Sequence, residues 1–291
     1  MKRAMMRLCC FLCLLLTLPY ASAEVTRSPL LDTAFSLLEK DNIFLRRYDE
    51  LTGADIQALF ELGLPYMFGG ENGNAVFSDY PEYAKRKCWQ NSKFYRADQV
   101  YISGFDCCGF TCWIRTECGL PEHDTLSNMI LHRDEHREHY LFTHRSGMPP
   151  YEQLKDTLAV GDLLVIKHGT RHIMMYIGTL RDFGFTPQEA PELAEYLDHP
   201  LVIHCGPHPD YGERIQQFID THPEDYGRCR TTDGGVCVSI LGVPVDAAPC
   251  HVQTQGNDFH YFPLDEKRYK LTVMDMSDVT SYCWYRMPPD A

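Results

Sequence analysis

"GDLLVIKHGTRHIMMYIG", residues 161 to 178, is the stretch on which the fold turns. Two apolar runs, "DLLVIKH" and "HIMMYIG", flank a short turn at "GT". β-branched and aromatic residues bounded by glycine read as an antiparallel hairpin. More strand-like runs follow: "PLVIHCG" (200–206), "VCVSILGVPV" (236–245), "YKLTVMDM" (269–276) and "SYCWYRM" (281–287). Before Gly161 the pattern is helical. A first helix is predicted near 28–40. A second starts at the capping-box pair Thr52 and Asp55, carries Ile56, Leu59 and Leu62 at helical spacing, and stops at Gly63 before Pro65. Residues 107–118 read as a buried helix ended by Gly119 and Pro121, and 124–144 as a polar helix rich in His, Arg and Glu. Helices first and an antiparallel meander after them predict an α+β fold.

The 291-residue chain opens with Lys2, Arg3 and Arg7, the apolar run "LCCFLCLLLTL" (8–18) and "ASA" (21–23). That order predicts a secretory signal, residues 1–23, cleaved after Ala23, and hence a secreted, extracellular or periplasmic protein. The remaining 268 residues suit one large domain or two small ones. The boundaries read as a helical extension at 24–52 and a domain at 53–291, with insertions near 71–103, 181–199 and 207–235. Loss of three basic residues takes the net charge from −13 to −16. Such a surface argues against docking on nucleic acid or, after signal cleavage, on an anionic membrane.

Ten of the 13 cysteines lie beyond the signal. In an oxidising compartment most should pair, and Cys229 with Cys237, flanking "RTTDGG", is a plausible hairpin disulfide. One thiol group reads differently. In "GFDCCGFTCW" (104–113), Cys107 stands where the chain leaves a glycine-containing turn and enters a helix. Free N–H groups at a helix start favour an anionic sulfur and can hold an oxyanion. A thiolate needs an imidazole to take and return a proton. His172 and His204 each interrupt an apolar strand, which suits a base and the group that orients it. Adjacent thiols make a poor tetrahedral set, so neither a metal nor a cofactor is expected.

With those residues in place, a resemblance becomes specific. "FDCCGFTCW" resembles the "DCSGF" nucleophile motif of the NlpC family of papain-like cell-wall cysteine peptidases. "AVGDLLVIKHGTRHIMMYIG" resembles its "GDL…HVGIYIG" block, "LVIHC" its "FIHA" strand, and "LGLPYMFGG" its "LGTPYVWGG" entry. All four occur in the family's order, over residues 53 to about 205. The resemblance implies helices packed on an antiparallel sheet of five or six strands. It implies hydrolysis of amide bonds in peptidoglycan stem peptides, often after D-glutamate, and muropeptides as partners. It further implies Cys107 as nucleophile, His172 as base and His204 as its orienting group, with Tyr66 and Asp106 against the substrate. The chain departs from the family at Cys108, where serine is usual. Its gaps after "PYMFGG" and between His172 and His204 are also longer.

Other readings compete. Cys107 can be a structural cysteine, His172 and His204 satisfied core histidines, Tyr66 a packing aromatic and Asp106 a helix cap. A vicinal Cys107–Cys108 disulfide would silence the nucleophile. "HRDEH" (132–136) matches an inverted zinc-peptidase pattern, with His132 and His136 as ligands and Glu135 as base. A solvated helix produces the same pattern by chance. Finally, the domain can be a disulfide-rich wall-binding module without activity, or act on other amides as an amidase or acyltransferase.

Overall fold

The computed structural model describes residues 28–39, 63–64, 66, 70, 77–78, 100–102, 104–123, 140–144, 156–168, 170–188, 191–207, 220–221, 229–230, 234–242, 261–264, 267–274, 276 and 281–287. The helix expected at 52–63 and the "HRDEH" segment lie outside them, apart from Gly63.

Helix α1 (Pro29–Ser36) begins where the sequence leads one to expect. Ser28 caps it by accepting from the Leu31 N–H at 3.3 Å, and Pro29 needs no hydrogen-bond partner at that position. Helix α2 (Cys107–Glu117) is capped by Asp106, and Gly119 in the left-handed region (φ 70°) follows its end. A hydrogen-bond contact between Thr33 Oγ1 and Cys118 Sγ, at 3.4 Å, links the two helices.

The strands are β1 (Phe77–Ser78), β2 (Val100–Ile102), β3 (Tyr140–His144), β4 (Leu163–His168), β5 (Thr170–Thr179), β6 (Pro200–Pro207), β7 (Cys229–Arg230), β8 (Gly234–Leu241), β9 (Tyr261–Leu264), β10 (Lys267–Met274) and β11 (Ser281–Tyr285). The main sheet is open and eight-stranded, in the order β3-β11-β4-β5-β6-β8-β10-β9; β1, β2 and β7 form a small second sheet. The hairpin read from 161–178 is present as the antiparallel β4–β5 pair. Three expectations need correction. The sheet is longer than five or six strands, and it is mixed: β10 runs parallel to β8, with Leu271 opposite Val238. The long connection after Leu241 provides the crossover length that parallel pairing requires. Residues 140–144 are not the end of a polar helix but strand β3, paired antiparallel with β11. Tyr140, Phe142 and Thr143 favour a pleated surface once a neighbouring strand is there to pair with.

The sheet buries both faces, as its alternation requires. Leu163, Val165, Ile173, Met175, Leu201, Ile203 and Val238 pack with Leu31 and Phe35 of α1 and Phe110 and Ile114 of α2. Leu164, Ile166, Met174, Tyr176, Val202, Leu241 and Trp284 form a second core. There the Trp284 and Tyr176 rings meet edge to face at 5.8 Å. The segment expected as an insertion at 181–199 holds two short 3₁₀ turns, Arg181–Phe183 and Pro191–Tyr196, and lends Leu193 and Leu197 to the first core.

Candidate active site

The site grows from the start of α2. Asp106 is extended, and its Oδ1 accepts from the Gly109 N–H at 2.8 Å, satisfying an otherwise open donor of the first turn. Its own N–H donates to the Gly70 carbonyl at 2.8 Å. One residue earlier, Phe105 bridges to Tyr66, whose N–H donates to Gly234 O at 2.9 Å. Tyr66 therefore sits beside the turn before α2 and packs, half-buried, on the core. Cys107 is buried at the first helical position and Cys108 beside it is half-buried. Asp106, Cys107 and Cys108 place one donor atom each within 4.8 Å of one another. The carboxylate of that trio already serves as the helix cap, and neither imidazole belongs to the group.

His172 lies near the start of β5 and His204 near the end of β6, at the same end of the sheet. His172 Nε2 and His204 Nδ1 are 3.0 Å apart, and the rings meet edge to face at 4.9 Å. Gly206 makes that approach possible. A Cβ there would lie 2.7 Å from His172 Cε1 and 3.2 Å from His204 Nδ1, so a side chain would force the His172 ring to shift and would crowd His204. Burial pushes the His172 pKa down to about 4, and the Asp106 carboxylate partly offsets this by favouring the charged ring. His172 is thus neutral at pH 7.

Behind the histidines lies a polar cluster that the sequence did not announce. His204 Nε2 is 2.8 Å from Ser239 Oγ and 3.4 Å from Cys237 Sγ. Ser239 Oγ is 2.5 Å from Thr272 Oγ1, whose hydroxyl donates to Val238 O at 3.0 Å. His204, Ser239 and Thr272 are all buried. The available signal was a serine and a cysteine two residues apart in an apolar strand, a pattern too common to single out.

The structure brings His172 to His204, and it sets Asp106 within electrostatic reach of His172. It does not hydrogen-bond Cys107 Sγ to His172. Alternation along β5 puts His172 on the row of Met174 and Tyr176, not the row of Ile173 and Met175 that packs under α2. The link between β6 and the turn before α2 is the Cys205 thiol, which donates to Phe105 O at 3.2 Å.

None of the seven cysteines whose state is described (Cys107, Cys108, Cys112, Cys118, Cys205, Cys237 and Cys283) is in a disulfide. Cys237 is buried against His204 and Ser239, so the Cys229–Cys237 hairpin disulfide is not formed. Strand pairing instead sets Cys229 opposite Val100 in the small sheet. The vicinal Cys107–Cys108 disulfide is not formed. Burial pushes the Cys112 thiol up to about 12 and the Cys205 thiol well above its ordinary value, which marks both as inert packing groups.

No protein family, curated protein or solved structure matches the chain.

Proposed function

We propose that the protein is an exported cysteine peptidase that hydrolyses amide bonds in peptidoglycan stem peptides, with the bond after D-glutamate as the first candidate. The observation that carries this reading is the His172–His204 pair, 3.0 Å apart, on strands whose Cys205 is bonded to the turn before α2. The motif order Tyr66, Cys107, His172, His204 supports it independently.

In this mechanism the Cys107 thiol passes its proton to His172 Nδ1 and the sulfur attacks the scissile carbonyl. N–H groups at the start of α2 hold the oxyanion. The C–N bond breaks, His172 protonates the departing amine, and a thioester remains on Cys107. Water, deprotonated by the same ring, attacks the thioester and releases the acid, and Cys107 recovers its proton. Catalytic hydrogen bonds that are long without substrate tighten in the complex, which is the step that would join Cys107 to His172. Tyr66 and Asp106 stand beside the nucleophile and would face the substrate. The mechanism calls for no metal or cofactor.

Mass spectrometry of defined muropeptides, incubated with the mature protein in reducing buffer, tests the reading. Wild type should cleave, Cys107→Ala should not, and Cys108→Ser should stay active. Undiminished turnover by Cys107→Ala would sink it. A second reading, a wall-binding module without turnover, draws on the unjoined Cys107 and His172. Stem-peptide binding with no cleavage by reduced wild type would favour it.

A further inference from the structure

The buried hydroxyls of Ser239 and Thr272 extend the His172–His204 pair to a backbone carbonyl, and that end point gives the chain of hydrogen bonds a direction. Val238 O can only accept. It lies 3.0 Å from Thr272 Oγ1, so the single Thr272 proton points to it; otherwise two acceptors would sit in contact. Thr272 then has no proton for Ser239, and the 2.5 Å contact between them must use the Ser239 proton. Ser239 Oγ, its proton committed, accepts at 2.8 Å from His204 Nε2–H. A neutral His204 protonated at Nε2 has a lone pair at Nδ1, which accepts at 3.0 Å from His172 Nε2–H. A neutral His172 protonated at Nε2 keeps its lone pair at Nδ1.

We propose that Ser239 and Thr272 are positioning residues that fix both imidazoles in the Nε2–H tautomer, leaving His172 Nδ1 as the proton acceptor for Cys107. The proposal rests on the peptidase reading for its catalytic meaning, but the tautomer itself does not. The geometry has a defined alternative. If every proton ran the other way, Ser239 would donate to His204 Nε2, His204 Nδ1–H would donate to His172 Nε2, and His172 Nδ1 would carry the proton. That ring could not accept from a thiol. The cost of that arrangement is the lone-pair clash at Val238 O. Cys237 Sγ, 3.4 Å from His204 Nε2, is too weak an acceptor to set the direction by itself. Partners that orient a functional histidine are worth about 10–100-fold when removed, in metal sites, and the same scale is expected here.

The test is ¹⁵N spectroscopy of the histidine ring nitrogens in the full chain at pH 7, where His172 is neutral. Wild type should show pyrrole-like Nε2 and pyridine-like Nδ1 in both His172 and His204. A pyrrole-like Nδ1 in wild-type His204 overturns the proposal, and this measurement needs no variant to fold. Ser239→Ala should mix the His204 tautomers and lower kcat about 10–100-fold with KM unchanged. Thr272→Val should act in the same direction, and Thr272→Ser should restore both signals. Folded Ser239→Ala with wild-type ring signals would also overturn it. Absence of turnover by wild type would strike the peptidase reading and leave the tautomer to the spectra. Turnover with the wrong tautomer would strike the relay alone.

Discussion

At the scale of single residues, the site depends on one side chain that is missing and one charge that is suppressed. Gly206→Ala places a methyl carbon 2.7 Å from His172 Cε1 and 3.0 Å from its Nε2, so the two rings must separate. Under the proposed peptidase mechanism, turnover should fall by about 100-fold, since a 1 Å displacement of a catalytic group costs on that scale. The drop should appear in kcat under saturating muropeptide. The suppressed charge belongs to His172. An unfolded histidine binds its proton near pH 6.5, whereas folded His172 binds it only near pH 4. Between those values the unfolded state holds more protons. Stability from this group is therefore complete above pH 6.5 and is lost as the pH falls through that window, by at most on the order of 3 kcal/mol. Urea unfolding at pH 7 and pH 4.5 should show the fall, and His172→Gln should flatten it. His172 was legible as a lone histidine in an apolar strand. Gly206 was not, because its meaning is the ring packed against it from another strand.

At the scale of elements, the start of α2 combines two roles in Asp106. The carboxylate caps the helix through the Gly109 N–H, and its charge favours protonated His172. Asparagine separates the two. Asp106→Asn keeps a good cap, so unfolding free energy should change little, while the His172 pKa should move further down in an NMR titration. Asp106→Ala should show the same pKa direction and in addition cost about 1 kcal/mol of stability. Equal stability losses in the two variants would contradict the capping role. The cap and the helix were readable because both are local: an acid, then a run with helical spacing, then glycine and proline. Strand β3 was misread for the opposite reason. Its five residues follow a polar stretch, and only pairing with β11 makes them a strand.

At the scale of the whole molecule, the last strand is the keystone of one half of the sheet. β11 lies between β3 and β4, although it is last in the chain. Trp284 fills the second core, and Arg286 clamps the start of β4. Arg286 makes paired hydrogen bonds to Asp162 at 2.8 and 2.7 Å and a third, at 2.7 Å, to the Thr157 carbonyl. Asp162 is only 3% exposed, so its partner cannot be replaced fully by water. Arg286→Ala should destabilise by about 2 kcal/mol, because a buried carboxylate keeps the Ala159 N–H and loses its cation. The loss should appear as a lower urea midpoint, with KM for the proposed stem-peptide substrate unchanged, since the clamp touches none of the candidate site residues.

The sequence by itself determined what depends on neighbours along the chain. It marked α1, α2 and its cap, the β4–β5 hairpin, the strand runs of β6, β8, β10 and β11, and the reactive residue types Cys107, His172 and His204. Periodicity, capping and turn chemistry are local, so they can be read before folding. The tertiary structure alone decided the parallel β8–β10 pair, the insertion of β11 beside β4, the fate of the thiols and the cluster behind His204. Ser239 meets Thr272 only because β10 lies parallel to β8, 33 residues further on. A hydrogen bond between strands depends on register and strand order, and neither is written in the spacing of the residues it joins.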